Sequence, residues 1–463
     1  MSSTKLEYLS IQPRHELLPV ELIAAIIDIV ADGYRDSLAT QREPLIFSTL
    51  AAASLVSRTW NTICRAYIFR TIKITAPGDP GAQFSFLHFE APHLSRHIHK
   101  LNLKWDGRCT ADDWLADCFR QMKNLRELRL QGGVETVCNQ GSLLSGPYAP
   151  PGGMKPMLAA PCLRRLVLCG WYFAEDGSDL VGMLPDTIEE LVLEVIGPPP
   201  RHAFSNTVAN VNGSTSSGRR LEYLRSMDLL YIRHPLFDLQ TFIECPNLRR
   251  FAVGWAGSRR RWDLPPWIPT NLLELELETD LDSYIPRINA SIQPSVVKIE
   301  VCDHKRSSVS FRTFIARIKA CIDRLSSPHL IQTLTINIVD YEVHARNRLY
   351  SRLSDYEALS QFLQQLRGCK GGKLKAVFLN IKMGLPPKHW SRNRDEGARD
   401  ENELADDSMM HVDEARETAK MEKGFAELLK DNILNVEFTI ERLSLWPWGG
   451  SSEALMHCSI RTM

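Results

Sequence analysis

The sequence predicts an α/β fold in two parts: a three-helix module over residues 15–75, then a curved repeat solenoid with parallel strands over residues 76–445. Three observations predict it. Apolar residues recur at helical spacing between Leu17 and Tyr67. A phrase, apolar-x-x-apolar-x-apolar, then recurs between Ile98 and Leu379, its last two apolar positions alternating as a half-buried strand requires. Several copies stand roughly 24 to 29 residues apart, a period at which one unit must stack on the next to bury its apolar face.

The first helix starts near Pro19, which suits a first helical position, with Glu21 in the first turn, where the helix dipole favours an anion. From Leu22 to Val30 only Asp28 is polar, so this helix needs burial on more than one side. A loop is expected from Ala31 to Phe47 and a second helix from Thr49 to Val56. Ser57 reads as the N-cap of a third helix, whose Trp60, Ile63, Cys64 and Tyr67 form one stripe. A module of roughly 55 residues cannot bury this much apolar surface alone. On spacing alone, two outlets are open: packing on the rest of the chain, or docking on a partner.

Ten copies of the strand phrase follow, beginning at Ile98, Leu125, Leu163, Ile188, Leu224, Leu248, Leu272, Val296, Ile331 and Leu374. Phe69 to Ile74 fits the same frame and is expected to be the first strand, joined directly to the helices. Pro and Asn before several copies turn the chain into the strand, as in Cys245-Pro246-Asn247-Leu248. Ser310 to Leu325 and Asp355 to Leu366 read as amphipathic helices between strands. Residues 198–218 read as a flexible loop and 389–423 as a charged insertion, with an exposed helix expected over Asp406 to Leu429. A final strand is expected from Asn435 to Leu443, and loose tails at 1–14 and 446–463. On the pattern alone, another α/β topology is open.

The N-terminal residues carry a resemblance. Leu18-Pro19-Val20-Glu21-Leu22 with Ile26 and Ile27, Leu55-Val56-Ser57-Arg58-Thr59-Trp60, and Ile68-Phe69-Arg70-Thr71-Ile72 resemble, in this order, an F-box of the type found in mushroom-forming fungi. The first loop is longer than the family's. The resemblance covers roughly the first 75 residues. It implies docking on a Skp-type adaptor and, through it, on a cullin–RING ubiquitin ligase. It also implies that Leu18, Pro19, Leu22, Ile26, Val56 and Trp60 serve the adaptor-bound fold, Trp60 through the module's core. The second part resembles an irregular leucine-rich repeat domain, without the Asn that this family usually carries after the strand. Together they imply a non-catalytic subunit that presents a target protein for ubiquitin-dependent degradation. The alternative is a non-degradative scaffold whose helices cap the solenoid.

Composition limits the other classes. Lys and Arg total 55 against 55 Asp and Glu, which disfavours a dedicated nucleic-acid partner. The 11 cysteines form no CxxC pair and no zinc spacing, so free thiols in the cytoplasm and/or nucleus are expected. There is no membrane-length apolar run and no apolar leader segment. His88, His93, His97 and His99 cluster without a completing ligand pattern, and nucleophile-elbow, P-loop and dinucleotide motifs are lacking. No catalytic residue, metal or cofactor is expected.

Two candidate target-binding features lie on the repeats. The non-core strand positions run from Lys100, Asn102, Lys104, Glu127, Arg129 and Arg165 to Glu190, Glu194, Asp228, Glu274, Glu276, Glu278 and Glu300, basic to acidic. Glu274, Glu276 and Glu278 share one strand, and their repulsion would be relieved either by solvent or by a basic partner. Trp105, Trp171 and Trp255 follow strand ends, where an indole serves either as an interface anchor or as a core plug.

Overall fold

A computed structural model describes residues 18–32, 43–74, 80–104, 113–132, 155–170, 183–194, 219–230, 243–254, 268–281, 285, 288, 291–303, 311–340, 353–383, 419–426, 436–442 and 453–460. The predicted tail 1–14, the loop 198–218, most of the charged insertion, and Trp105, Trp171, Trp255, Trp446 and Trp448 lie outside these residues.

Three helices come first: α1 (Val20–Asp32), α2 (Glu43–Ser54) and α3 (Arg58–Ile68). The Pro19 carbonyl accepts from the Leu22 and Ile23 amides, so Pro19 caps α1 instead of opening it. The second helix corrects the sequence reading: it starts at Glu43, six residues before Thr49, and ends at Ser54. Glu43-Pro44 is a helix-start pair hidden by a polar context. Ser57 does cap α3, its hydroxyl accepting the Trp60 amide at 3.3 Å. Ile23, Ile27, Leu50 and Cys64 form the module's core, with Trp60, Ile63 and Tyr67 packed half-buried against it.

The chain passes from α3 to strand β1 (Thr71–Ile74) through only Phe69 and Arg70. There follow α4 (Pro80–Ser85), a π-helical turn (Phe86–Glu90), α5 (Pro92–Ser95), β2 (Lys100–Lys104), α6 (Asp113–Gln121) and β3 (Glu127–Gln131). Next come β4 (Arg165–Cys169), β5 (Glu190–Glu194), β6 (Arg219–Arg220), β7 (Ser226–Leu230), β8 (Ile243–Glu244), β9 (Arg250–Gly254) and β10 (Glu274–Asp280). The last are β11 (Val296–Asp303), α7 (Phe311–Ile322), β12 (Thr333–Asp340), α8 (Leu353–Gly368), β13 (Ala376–Met383), β14 (Val436–Arg442) and β15 (Glu453–Ile460).

All ten phrases and the Phe69 copy become strands of one eleven-stranded, all-parallel sheet, β1-β2-β3-β4-β5-β7-β9-β10-β11-β12-β13. The spatial order is the chain order, so each unit adds a strand beside the one before. The register aligns the two alternating apolar positions: Leu101, Leu128, Leu166 and Leu191 form one buried row, and Leu103, Leu130, Leu168 and Leu193 the next. Only the copy read from Val296 is two residues out, Val297 and Ile299 taking these places in β11. A one-residue slip would turn both rows out of the core, which is why the phrase fixes register. Phe69 and Ile72 pack on this core while Ile68 packs on the module's core, so a few residues bind the two parts.

Two further expectations are corrected. The expected last strand forms as β14 and lies against β13, but it is not hydrogen-bonded into the eleven-stranded sheet; it pairs antiparallel with β15, inside the tail expected to be loose. Val436, Phe438 and Ile440 stand opposite Ile460, Cys458 and Met456 in the register. The end of the charged segment is helical over 419–424 as expected, but it is not exposed on all sides, for Met421 and Phe425 are buried and Phe425 stacks edge-on against Tyr356 at 5.9 Å. Gly424 permits this approach, since a Cβ there would lie 2.5 Å from the Tyr356 Cβ. Gly424→Ala is therefore expected to cost about 1–3 kcal/mol by overpacking, read as a lower urea midpoint.

Candidate functional site

The helical module exposes what a self-sufficient domain would bury. On α1, Leu22, Ile26 and Ile29 follow one another at spacings of four and three, one face of a helix, and Leu18 lies just before the helix. All four are exposed, Leu22 at 52% and Ile26 at 40%, while Ile23 and Ile27 on the adjacent face are sealed in the core. Pro19 and Val20 are also exposed. A second apolar pair lies in the turn between α2 and α3, where Leu55 is 85% and Val56 68% exposed. That turn is held by hydrogen bonds: the Asn61 side chain donates to the Ser54 carbonyl at 3.1 Å, and Ser57 caps the next helix. Trp60 stands apart from the other implied adaptor residues, half-buried on the module's core. Residue-type reasoning left out Ile29, Val20 and Phe47, which are exposed as well. Ile29 was legible as the next residue on the Leu22–Ile26 face.

On the sheet, the strand positions between the two apolar rows lie on the face opposite the core. Their charges are matched across strands. Lys100 pairs with Glu127 at 2.8 Å, Arg165 with Glu190 at 3.3 Å, and Arg129 reaches across β4 to Glu194 at 3.2 Å. Arg250 is the hub of a denser group. It contacts Glu276 at 2.8 Å, Glu274 at 3.4 Å, and Asp228. Lys298 joins Glu276 from the other side. Burial pushes the Asp228 carboxyl above its ordinary range against the pull of Arg250. Burial disfavours the Arg250 charge, yet Asp228, Glu276 and Glu274 together hold its pKa above the usual value.

This corrects the repulsion inferred for Glu274, Glu276 and Glu278. Arg250 and Lys298 on the flanking strands neutralise the first two. The Glu278 side chain lies over Gly254, where an added Cβ would come within 2.5 Å of Oε2. Glu278, Glu300 and Cys302 bring ligand atoms within 4.8 Å of one another, the one such group among the described residues. The Glu300 oxygens already accept from the Cys302 thiol at 3.7 Å and the Asn337 amide at 3.1 Å, and Asn337 accepts from Asn380 at 2.9 Å. These contacts continue the cross-strand ladder.

The cysteines offer no nucleophile among those whose titration is shifted. Burial pushes the Cys118 and Cys245 thiols up to about 12 and Cys321 to about 11. His97 and His99 are held below the ordinary imidazole value, first by burial and then by neighbouring arginines. The His97 ring accepts from Arg96 Nε at 3.3 Å. No helix among the described residues is long and apolar enough to cross a membrane. Compared with protein-family models the chain matches none, and no curated protein sequence matches it significantly.

Proposed function

We propose that this chain is the substrate-recognition subunit of a cullin–RING ubiquitin ligase. The F-box-like helices at 15–75 dock on a Skp-type adaptor, and the leucine-rich-repeat-like region at 76–445 holds a target protein. The observation that carries the reading is the exposed stripe Leu22, Ile26 and Ile29, with Leu18 just before it, on a helix whose other apolar face is already satisfied. Fully burying a side chain of this type is worth about 1.5–3 kcal/mol. Half-exposed, each retains about half of that for a partner. The direct passage from α3 into β1 supports a fixed orientation between adaptor and target, so catalysis supplied by another subunit acts at high effective concentration.

The capping reading has its own support, since Phe69 and Ile72 seal the core at the β1 edge. It gives the outer stripe of α1 no role. Expression of the tagged full chain with a Skp-type adaptor separates the two. Co-elution as a stoichiometric complex is expected; a monomer that ignores the adaptor at micromolar concentration leaves the scaffold reading in place.

A further inference from the structure

We propose that a row of arginines along the N-terminal ends of the strands is a docking ridge for an extended acidic peptide. The row is formed by the residue just before each strand: Arg70, His99, Arg126, Arg164, Glu189, Arg225 and Arg249. It runs over consecutive strands of the sheet from β1 to β9. Five of its seven members are arginine, and one is acidic.

Backbone hydrogen bonds set its geometry. The Arg126 carbonyl accepts the amides of Arg164 and Arg165 at 2.9 and 2.8 Å, and the Arg225 carbonyl accepts those of Arg249 and Arg250 at 2.8 and 3.0 Å. Each member therefore stands one strand spacing from the next, about 4.8 Å. From Arg126 to Arg249 the ridge takes four such steps, about 19 Å, the span of roughly six extended residues.

The neighbouring row, one residue further along each strand, neutralises itself through Lys100–Glu127, Arg165–Glu190 and Arg250–Glu274. The arginine row does not. Arg126, Arg164, Arg225 and Arg249 are exposed, and among the described residues only Arg164 has a carboxylate, Glu189 at 3.1 Å. That contact shows how a carboxylate seats in the row. His99 reports the field: after burial, the nearby Arg70 and Arg126 are what lower its pKa. Sequence reasoning passed over the ridge because each arginine is only the first x of its phrase; laid under one another, the phrases show the column. Nucleic acid fits less well, because its affinity rests on a large excess of cations and the chain as a whole balances 55 Lys and Arg against 55 Asp and Glu.

This surface is independent of adaptor docking, so failure of that reading leaves it standing. The test uses the full chain and fluorescein-labelled hexaglutamate, followed by anisotropy at low and physiological salt. Binding is expected that weakens with salt and falls about tenfold or more in Arg126→Gln/Arg225→Gln/Arg249→Gln. The matching triple Lys variant, which keeps the charge, should bind within about threefold of the parent, and Lys100→Gln/Lys104→Gln on the strand face should change little. No binding to hexaglutamate, or full binding by the triple Gln variant with a native circular dichroism spectrum, overturns the proposal. So does a short single-stranded oligonucleotide that binds more tightly than the peptide and is lost in the same variant.

Discussion

Leu22→Glu/Ile26→Glu is expected to abolish adaptor capture while leaving the chain folded. Both side chains are exposed, so their loss opens no cavity, and stability should move by no more than about 1 kcal/mol. Glutamate also suits a helix interior, and at position 22 it lies near the favourable end of the dipole. At a docking face the same change removes two apolar anchors and forces two carboxylates to lose water. A combined loss of about 3 kcal/mol or more follows, over 100-fold in affinity. Calorimetric titration with purified adaptor reads the loss, and urea unfolding reads the stability. Ile23→Ala and Ile27→Ala behave the opposite way: each costs about 2–5 kcal/mol of stability, because each opens a cavity in the module's core. Capture that survives the double Glu variant would remove α1 from the interface and, with it, the main support for ligase recruitment.

The contrast between those residues shows where the sequence was legible. Ile23 and Ile27 are as apolar as Leu22 and Ile26, and composition does not divide them. Spacing ties each to the residue four away, but the resemblance singled out Leu22 and Ile26, and packing in the module's core is what buries Ile23 and Ile27. The eleven strands were readable because alternation is a local signal, and its repetition leaves one way to stack. What escaped was set by contacts distant in the chain. Met421 and Phe425 look like two apolar residues in a charged run until Tyr356 is placed beside them. β15 is a strand only beside β14, its antiparallel partner. The charge on the sheet was misjudged by distance. Along one strand, Glu274 and Glu276 lie about 6.8 Å apart, whereas the strand beside them, with Arg250, is only about 4.8 Å away. Repulsion is visible within a strand; the nearer attraction needs the register.

That attraction gives the second large effect. Arg250→Ala is expected to destabilise the chain by about 2–4 kcal/mol near pH 7, with the deficit shrinking as the pH falls. Asp228 and Glu276 sit in register on either side of Ala252, a residue small enough for the Arg250 side chain to lie over it and reach both. Their side chains are only 16% and 14% exposed. Without the guanidinium, Asp228 keeps no ion pair among the described residues and Glu276 keeps Lys298 alone, and stranding a largely buried charge costs more than the pair itself contributes. The pH dependence follows from the direction of the Asp228 shift. Its folded pKa is already above the unfolded value because burial outweighs Arg250, and removal of Arg250 raises it further. The protonated form is then the one the folded state prefers. Stability attached to that proton is fully present below the ordinary aspartate value of about 3.9 and is lost as pH rises through the folded value. The gap between parent and variant should accordingly be widest near neutrality and narrow towards pH 4, as read by urea midpoints across that range. Arg250→Lys should recover only part of the loss, since one ammonium cannot match a planar guanidinium shared among Asp228, Glu274 and Glu276. A variant whose deficit is flat with pH would mean that Arg250 acts through packing over Ala252 and not through its carboxylates.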